Sequence, residues 1–230
     1  MNEETLIKCY HGTSKENEIK ILKEGFKESK PNQGHWLGKG VYFYENIYYA
    51  IEWGIIYFLN NSATYDEYTE KCTVIETKIN LDDFEILDLN DPIGYKYYLE
   101  IEKNIKERFP EKIKNIENDG DIELIRLMEK IEEETHNSYI SMFDILIASY
   151  PKDIYKKGNK KIKGNFLPCI QKQICVKNKK AINEITSVNL NKSEIERYFY
   201  IIMDNRRENE NEKQCRIIKN AIRKDKKYSR

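Results

Sequence analysis

Three short blocks hold the residue types that could do chemistry: His11-Gly12-Thr13, Gly38-Lys39-Gly40-Val41-Tyr42-Phe43, and Gln173-Ile174-Cys175-Val176. A histidine at the end of a strand can offer a ring nitrogen to a sugar hydroxyl. A glycine beside it leaves backbone N–H and C=O open to a flat ligand. In the second block Gly38 and Gly40 permit tight turns. Tyr42 and Phe43 then alternate along a strand, which predicts Tyr42 in a pocket and Phe43 in the core. Trp53 follows about three helical turns later. Two aromatic faces and one open backbone edge suit a planar, amide-bearing ring. Gly-Lys-Gly lacks the spacing and the following Ser/Thr of a phosphate-binding Walker loop.

The elements that must position these blocks follow from periodicity. Thr5–Tyr10 reads as a strand. Thr13 and Glu16 make a T-x-x-E capping box for a helix whose apolar face is Ile19, Leu22 and Phe26 and whose end is Gly25. A polar loop with Pro31 and Gly34 leads to a strand at Val41–Tyr44. Ile47, Ala50, Ile51, Gly54, Ile55 and Phe58 have helical spacing. Strands are predicted at Cys72–Ile79, Phe84–Leu89, Gln173–Lys177 and Ala181–Leu190. A charged helical insertion fills about 95–148, with breaks at Pro110 and Gly120. FDILIASYP, which follows it, fits helix or strand. The basic loop KKGNKKIKGN comes next. The organisation predicted is one domain over 1–192 and a polar, basic helical tail over 193–230. Strands without a regular βαβ rhythm point to α+β.

The bulk properties are permissive. The chain has 230 residues, 40% hydrophobic and 34% charged, with zero formal net charge. That composition fits a soluble globular protein and names no partner by charge alone. No apolar run approaches the ~18 residues of a membrane span. The acidic N-terminus has no hydrophobic leader core. A cytoplasmic protein without a membrane partner is the expectation. Five scattered cysteines form no CxxC, so neither a disulfide framework nor a metal site is expected; Cys9, Cys72 and Cys175 lie in strand-like runs and read as core. His136, in an acidic stretch, reads as a surface residue.

YHGT, GF, WLGKGVYF and the alanine that follows resemble the catalytic domain of the diphtheria-toxin-like ADP-ribosyltransferases, in the poly(ADP-ribose) polymerase branch. The likeness covers residues 9 to 54 and, more thinly, 166 to 190. It implies an ADP-ribosyltransferase fold, with split antiparallel β-sheets around an NAD cleft. It implies a mono-ADP-ribosyltransferase that moves ADP-ribose from NAD to a macromolecular acceptor and releases nicotinamide. By that resemblance His11 bonds the adenine-side ribose, and the Gly12 backbone clamps the carboxamide. Thr13, Gly40 and Tyr42 line the donor pocket, and Trp53 replaces a stacking tyrosine. Ala50 stands where many members have a serine that bonds the carboxamide. Ser29–Trp36 would form a flap over the donor, with His35 and Trp36 either touching adenine or ordering that flap.

The third block departs from the family. Its strand normally opens with a glutamate, and here Gln173 takes that place, or Gln171 if the alignment slips by two. Glutamine keeps a hydrogen bond but cannot serve as a general base. Gln173 is carried as a catalytic-position residue with His11 and Tyr42, and chain elongation is not expected. NAD is the implied donor, with no metal. The acceptor is left open among protein, RNA and DNA. The insertion and tail are assigned to acceptor choice or to an antitoxin-like or regulatory partner. A bacterial toxin or phage-defence effector is the implied setting. An NAD glycohydrolase and an inactive NAD- or ADP-ribose-binding module are the competing readings.

Overall fold

A computed structural model of the chain describes residues 5–28, 36–113, 120–152, 169–188 and 192–207. His35 with nearly all of the expected flap, the basic loop and the tail beyond Arg207 lie outside the described residues.

The elements run β1 (Leu6–Ser14), α1 (Lys15–Glu24), β2 (Val41–Tyr44), α2 (Ile47–Phe58), α3 (Tyr65–Lys71), β3 (Cys72–Asn80), β4 (Ile86–Asp88), α4 (Pro92–Arg108), α5 (Pro110–Ile113), α6 (Gly120–Thr135), β5 (Ile145–Lys152), β6 (Cys169–Val176), a 3-10 turn (Lys179–Ala181) and β7 (Ile182–Ser187). A further helix, α7, covers 192–207. The class is α+β. The strands form one seven-stranded sheet in the order β4-β5-β6-β2-β1-β3-β7. Every neighbouring pair is antiparallel except β4–β5.

The expectation of two separate sheets is thereby corrected, and the join between the halves is slender. β1 pairs with β3 continuously from Leu6↔Asn80 to Ser14↔Cys72. Its pairing with β2 is confined to Tyr10↔Tyr44. An antiparallel ladder would next pair His11, Gly12 and Thr13 with Phe43, Tyr42 and Val41. Those pairs do not form, so the sheet forks there.

Side chains alternate across the sheet. One face carries two clusters: Tyr42, Leu146 and Cys175 under α4 and α6, and Tyr44 and Val74 under α2 and α3. The other face carries Cys9, Phe43, Ile75, Ile147 and Ile174 beneath Phe26 and Ala181. Phe199, Ile202 and Met203 of α7 are buried against α2 and α3, so this part of the expected tail belongs to the core.

Several local expectations shift. The N-cap of α1 is Ser14, whose side chain accepts from Asn17 N, rather than Thr13. Thr13 is held in the β1–β3 ladder, which moves the cap by one residue. Gly25 does end α1, at φ 77°. Ile19 and Leu22 are exposed, at 69% and 46%, whereas Phe26 beyond the glycine is buried. α3, with a complete Thr64–Glu67 capping box, was not expected from its polar sequence.

The helical insertion runs from Pro92 to Thr135, after which Ile145–Lys152 is a strand. Period two decides it: Ile145 and Ile147 face one cluster, Leu146 and Ala148 another. Pro151 lies past the three residues that β4 pairs, where β5 has one free edge and a missing N–H is tolerated. Gln173 sits mid-strand in β6 rather than at its opening, opposite Tyr44 and Ala148. No described helix is long and apolar enough to cross a membrane.

Candidate active site

The fork between β1 and β2 is bridged by a side chain. His11 Nδ1 lies 2.8 Å from the Tyr42 carbonyl oxygen. A carbonyl only accepts, so Nδ1 carries the proton and Nε2 is left as an acceptor. The ring stands edge-on to Phe26 at 5.1 Å and tilted to Phe43 at 5.8 Å. Burial pushes the His11 pKa below its ordinary value, and the carbonyl contact offsets this only in part. The imidazole is therefore mostly neutral at pH 7.

A cavity of about 310 Å³ opens beside this bridge. His11, Gly12 and Thr13 form one wall, Val41 and Tyr42 the second, and Trp53, Tyr57 and Phe58 of α2 the third. Asn17, Lys20 and Lys27 reach its rim from α1 and the segment after it. The two lysines are exposed and already bonded to Glu16 and Glu24, so the rim is only weakly cationic. Trp53 lies 4.1 Å from Tyr57 at 35°, giving a broad aromatic panel. Tyr57 was not singled out from the sequence. Its position four residues after Trp53 on a helix was the available signal.

The remaining predicted residues have other places. Ala50 is fully buried. Gly40 (φ 156°) lies against β6, where an added Cβ would meet Cys175 Sγ at 2.5 Å. Neither is among the residues that wall the cavity. Gly12 does reach the cavity, but its lack of a Cβ serves packing: an added Cβ would stand 1.8 Å from the Ala50 carbonyl oxygen. The Tyr42 hydroxyl donates to Gly38 O at 2.7 Å and accepts from Leu37 N at 2.8 Å, so it holds its own preceding turn. Burial drives that hydroxyl far above its usual pKa. Trp36 lies edge-on to Tyr150 of β5 at 4.5 Å and is not among the residues that line the cavity.

The Gly-Lys-Gly turn is anchored from the helical insertion. Glu129 of α6 accepts from Lys39 N at 2.8 Å and from Lys177 Nζ at 2.6 Å. Both partners of the ion pair are largely buried, at 15% and 11% exposure. Gly38 (φ 81°) is needed there, because an added Cβ would lie 2.2 Å from the Glu129 carboxylate. Lys39 also pairs with Glu133. Replacing Glu129 by glutamine leaves Lys177 without its counter-charge. We expect a loss of about 2 kcal/mol, read as a fall of roughly 5 °C in Tm. An unchanged Tm would show that the clasp contributes nothing to the turn.

Gln173 is 1% exposed, and its Oε1 has no hydrogen-bond partner. Gln171, two residues back on the same face, is 5% exposed and hydrogen-bonds to the Tyr44 hydroxyl. Neither glutamine is among the residues that wall the cavity. They lie on the same side of the sheet as α2. Among the described residues no group of three metal-ligating side chains comes together.

No family model matches the chain, and no solved structure does. The chain is similar to an uncharacterized protein of Methanocaldococcus jannaschii, 28% identical over 197 residues. The match spans 80% of this chain and 88% of that relative, so it extends well beyond the forked site.

Proposed function

We propose that the protein is an ADP-ribosyltransferase that cleaves NAD in the fork between β1 and β2 and passes ADP-ribose to a macromolecular acceptor. One observation carries this reading: the sheet opens where the His-Gly and Gly-x-Gly-x-Tyr-Phe blocks face each other, with Trp53 over the gap. The cavity is at the small end for ligand sites, with room for a ring and a sugar rather than a whole dinucleotide. The neutral His11, with Nε2 as acceptor, suits a ribose hydroxyl. The Trp53–Tyr57 panel suits a flat ring.

In NAD the nicotinamide is a cationic pyridinium that leaves as a neutral base, and its departure leaves an oxocarbenium-like sugar. The protein's task is to hold the donor, exclude water and place the acceptor. A second reading has its own support. β6 carries Gln171 and Gln173 and no carboxylate between Cys169 and Val176, which suits a module that binds NAD without reacting.

Nicotinamide release from NAD by purified protein separates the two, run with total RNA, DNA or protein added. Release that depends on one acceptor class supports the transferase and names the substrate. Release into free ADP-ribose alone means hydrolysis. A thermal shift with NAD and no release supports the binding module. The absence of both ends the NAD reading.

A further inference from the structure

One arm of the fork, formed by β2 and β6, is gripped at its open end from the helical insertion. β2 meets β1 at Tyr10↔Tyr44 alone, so pairing with β1 does not fix Val41 and Tyr42. β6 pairs with all of β2, and the pair at the mouth is Val41↔Val176. Lys177 follows Val176, and the Gly38-Lys39-Gly40 turn precedes Val41. Glu129 Oε1 accepts from Lys177 Nζ at 2.6 Å and from Lys39 N at 2.8 Å, so a single oxygen ties the two strand ends together. Side chains take the other polar groups of the turn as well. The Tyr42 hydroxyl accepts from Leu37 N and donates to Gly38 O, and Cys175 Sγ donates to Lys39 O at 3.6 Å. Tyr42 works at both ends: its hydroxyl locks the turn that Glu129 holds, and its carbonyl bonds His11 Nδ1. Hydrogen bonds thus lead from Glu129 through the turn and Tyr42 to the histidine that walls the cavity.

We propose that Glu129 is a positioning residue of the forked site: it fixes the β2–β6 arm at the mouth, and with it the Tyr42 carbonyl that holds His11. The helical insertion is then part of the donor site. What this means for NAD rests on the transferase reading; what it means for His11 does not. Glu129 is not among the residues that wall the cavity, so it acts through the turn and not on a ligand. Its burial gives it leverage. Removing the carboxylate leaves the largely buried Lys177 ammonium and the Lys39 N–H without their acceptor, and both must move toward water to recover one. The turn moves with them, and the Tyr42 carbonyl moves with the turn. Which nitrogen of an imidazole carries the proton is set by the hydrogen bonds around it, so the His11 ring reports that movement directly.

The test compares the full chain with Glu129→Ala and, as a control on the same helix, Glu132→Ala. Glu132 Oε1 accepts from Tyr139 N, Ile140 N and Ser141 N, so its loss also weakens α6 but leaves the turn untouched. Nitrogen-15 imidazole spectra, taken where the ring is neutral, show which nitrogen of His11 is protonated; the His11 signals are assigned by their loss in His11→Gln. Thermal melts and nicotinamide release from NAD accompany them. The wild type is expected to show the Nδ1–H form alone. Glu129→Ala is expected to show a mixture with the Nε2–H form, and a kcat/KM for NAD roughly 10-fold lower, a fraction of the ~10²-fold that a misplacement of about 1 Å costs. Glu132→Ala is expected to lower Tm while keeping the wild-type spectrum and kcat/KM. Should Glu129→Ala fail to fold, Glu129→Gln, which keeps an acceptor for Lys39 N, is read in the same way. An unchanged His11 spectrum in the folded Glu129 variant overturns the inference. So does an equal change in Glu132→Ala, since both would then follow from lost stability. Wild-type protein that neither releases nicotinamide nor shifts in Tm with NAD overturns the transferase reading, and the His11 spectra still decide the role of Glu129.

Discussion

Gly12→Ala is expected to destabilise the protein by about 4 kcal/mol, a fall of roughly 10 °C in Tm. The added Cβ would stand 1.8 Å from the Ala50 carbonyl oxygen and 3.2 Å from Gly54 N. Both are backbone atoms of α2, so no side chain can rotate away. β1 cannot retreat, because its whole length is paired to β3. α2 cannot lift, because Ile51 and Ile55 are fully buried beneath it. Ordinary overpacking costs about 1–3 kcal/mol, and the larger figure here reflects a clash with no soft partner. Gly25→Ala makes the contrast. Nothing lies within 4 Å of a Cβ there, and the cost is backbone strain alone, since φ 77° with ψ 177° is a conformation open almost only to glycine, about 2 kcal/mol. A Gly12→Ala protein melting within about 2 °C of wild type would mean that α2 rides higher over β1 than described. Since α2 also carries Trp53 and Tyr57, that result would loosen the geometry of the whole site.

That contact shows where sequence reasoning reaches and where it stops. β2, α2 and β3 were legible because period two and period 3.6 are local signals, and their residues sit in the layers that the periods assign. The His-Gly and Gly-Lys-Gly blocks were legible as places where the backbone must be unencumbered. Gly12 has a second reason to lack a side chain that no local signal shows, since it faces a helix carbonyl as well as the cavity. The anchoring of the Gly38 turn by Glu129 was illegible, since the two are about ninety residues apart and a glutamate in a charged helix carries no mark of burial. The exposure of Ile19 and Leu22 was missed because apolar spacing says which residues share a face and not whether that face is covered. The helical insertion was drawn to about 148, over the first residues of β5, and FDILIASYP was left open, because a short apolar run fits either period until a partner strand selects one. The fork is a property of two strands failing to pair, and no single segment encodes it.

His11→Ala is expected to reduce NAD cleavage by about three orders of magnitude while the protein still folds. Two losses multiply. The acceptor nitrogen offered to the ribose hydroxyl disappears, worth about 1 kcal/mol and so several-fold in rate. The bridge to the Tyr42 carbonyl also goes, freeing the two arms of the fork, and a misplacement of about 1 Å at a reacting centre costs ~10²-fold. His11→Gln separates the terms, since an amide N–H can still donate to the carbonyl. It should recover part of the rate, and full activity in either variant would remove His11 from the site.

The same residue makes stability depend on pH, and the sign follows from burial. His11 has a folded pKa below its unfolded value of about 6.5. Below that value the unfolded chain binds the proton more readily than the folded one, so stability falls as pH drops through about 6.5 and levels off beneath the depressed folded pKa. Above pH 7 the ring is neutral in both states and contributes no slope. Melting curves from pH 8 to 5 should therefore fall more steeply for the wild type than for His11→Gln. Parallel curves would mean that burial does not depress the titration of the ring, so that Nε2 takes up a proton as readily in the folded chain as in the unfolded one. The donor reading of His11 needs the neutral ring, because with Nδ1 held on the Tyr42 carbonyl only an unprotonated Nε2 can accept from a ribose hydroxyl.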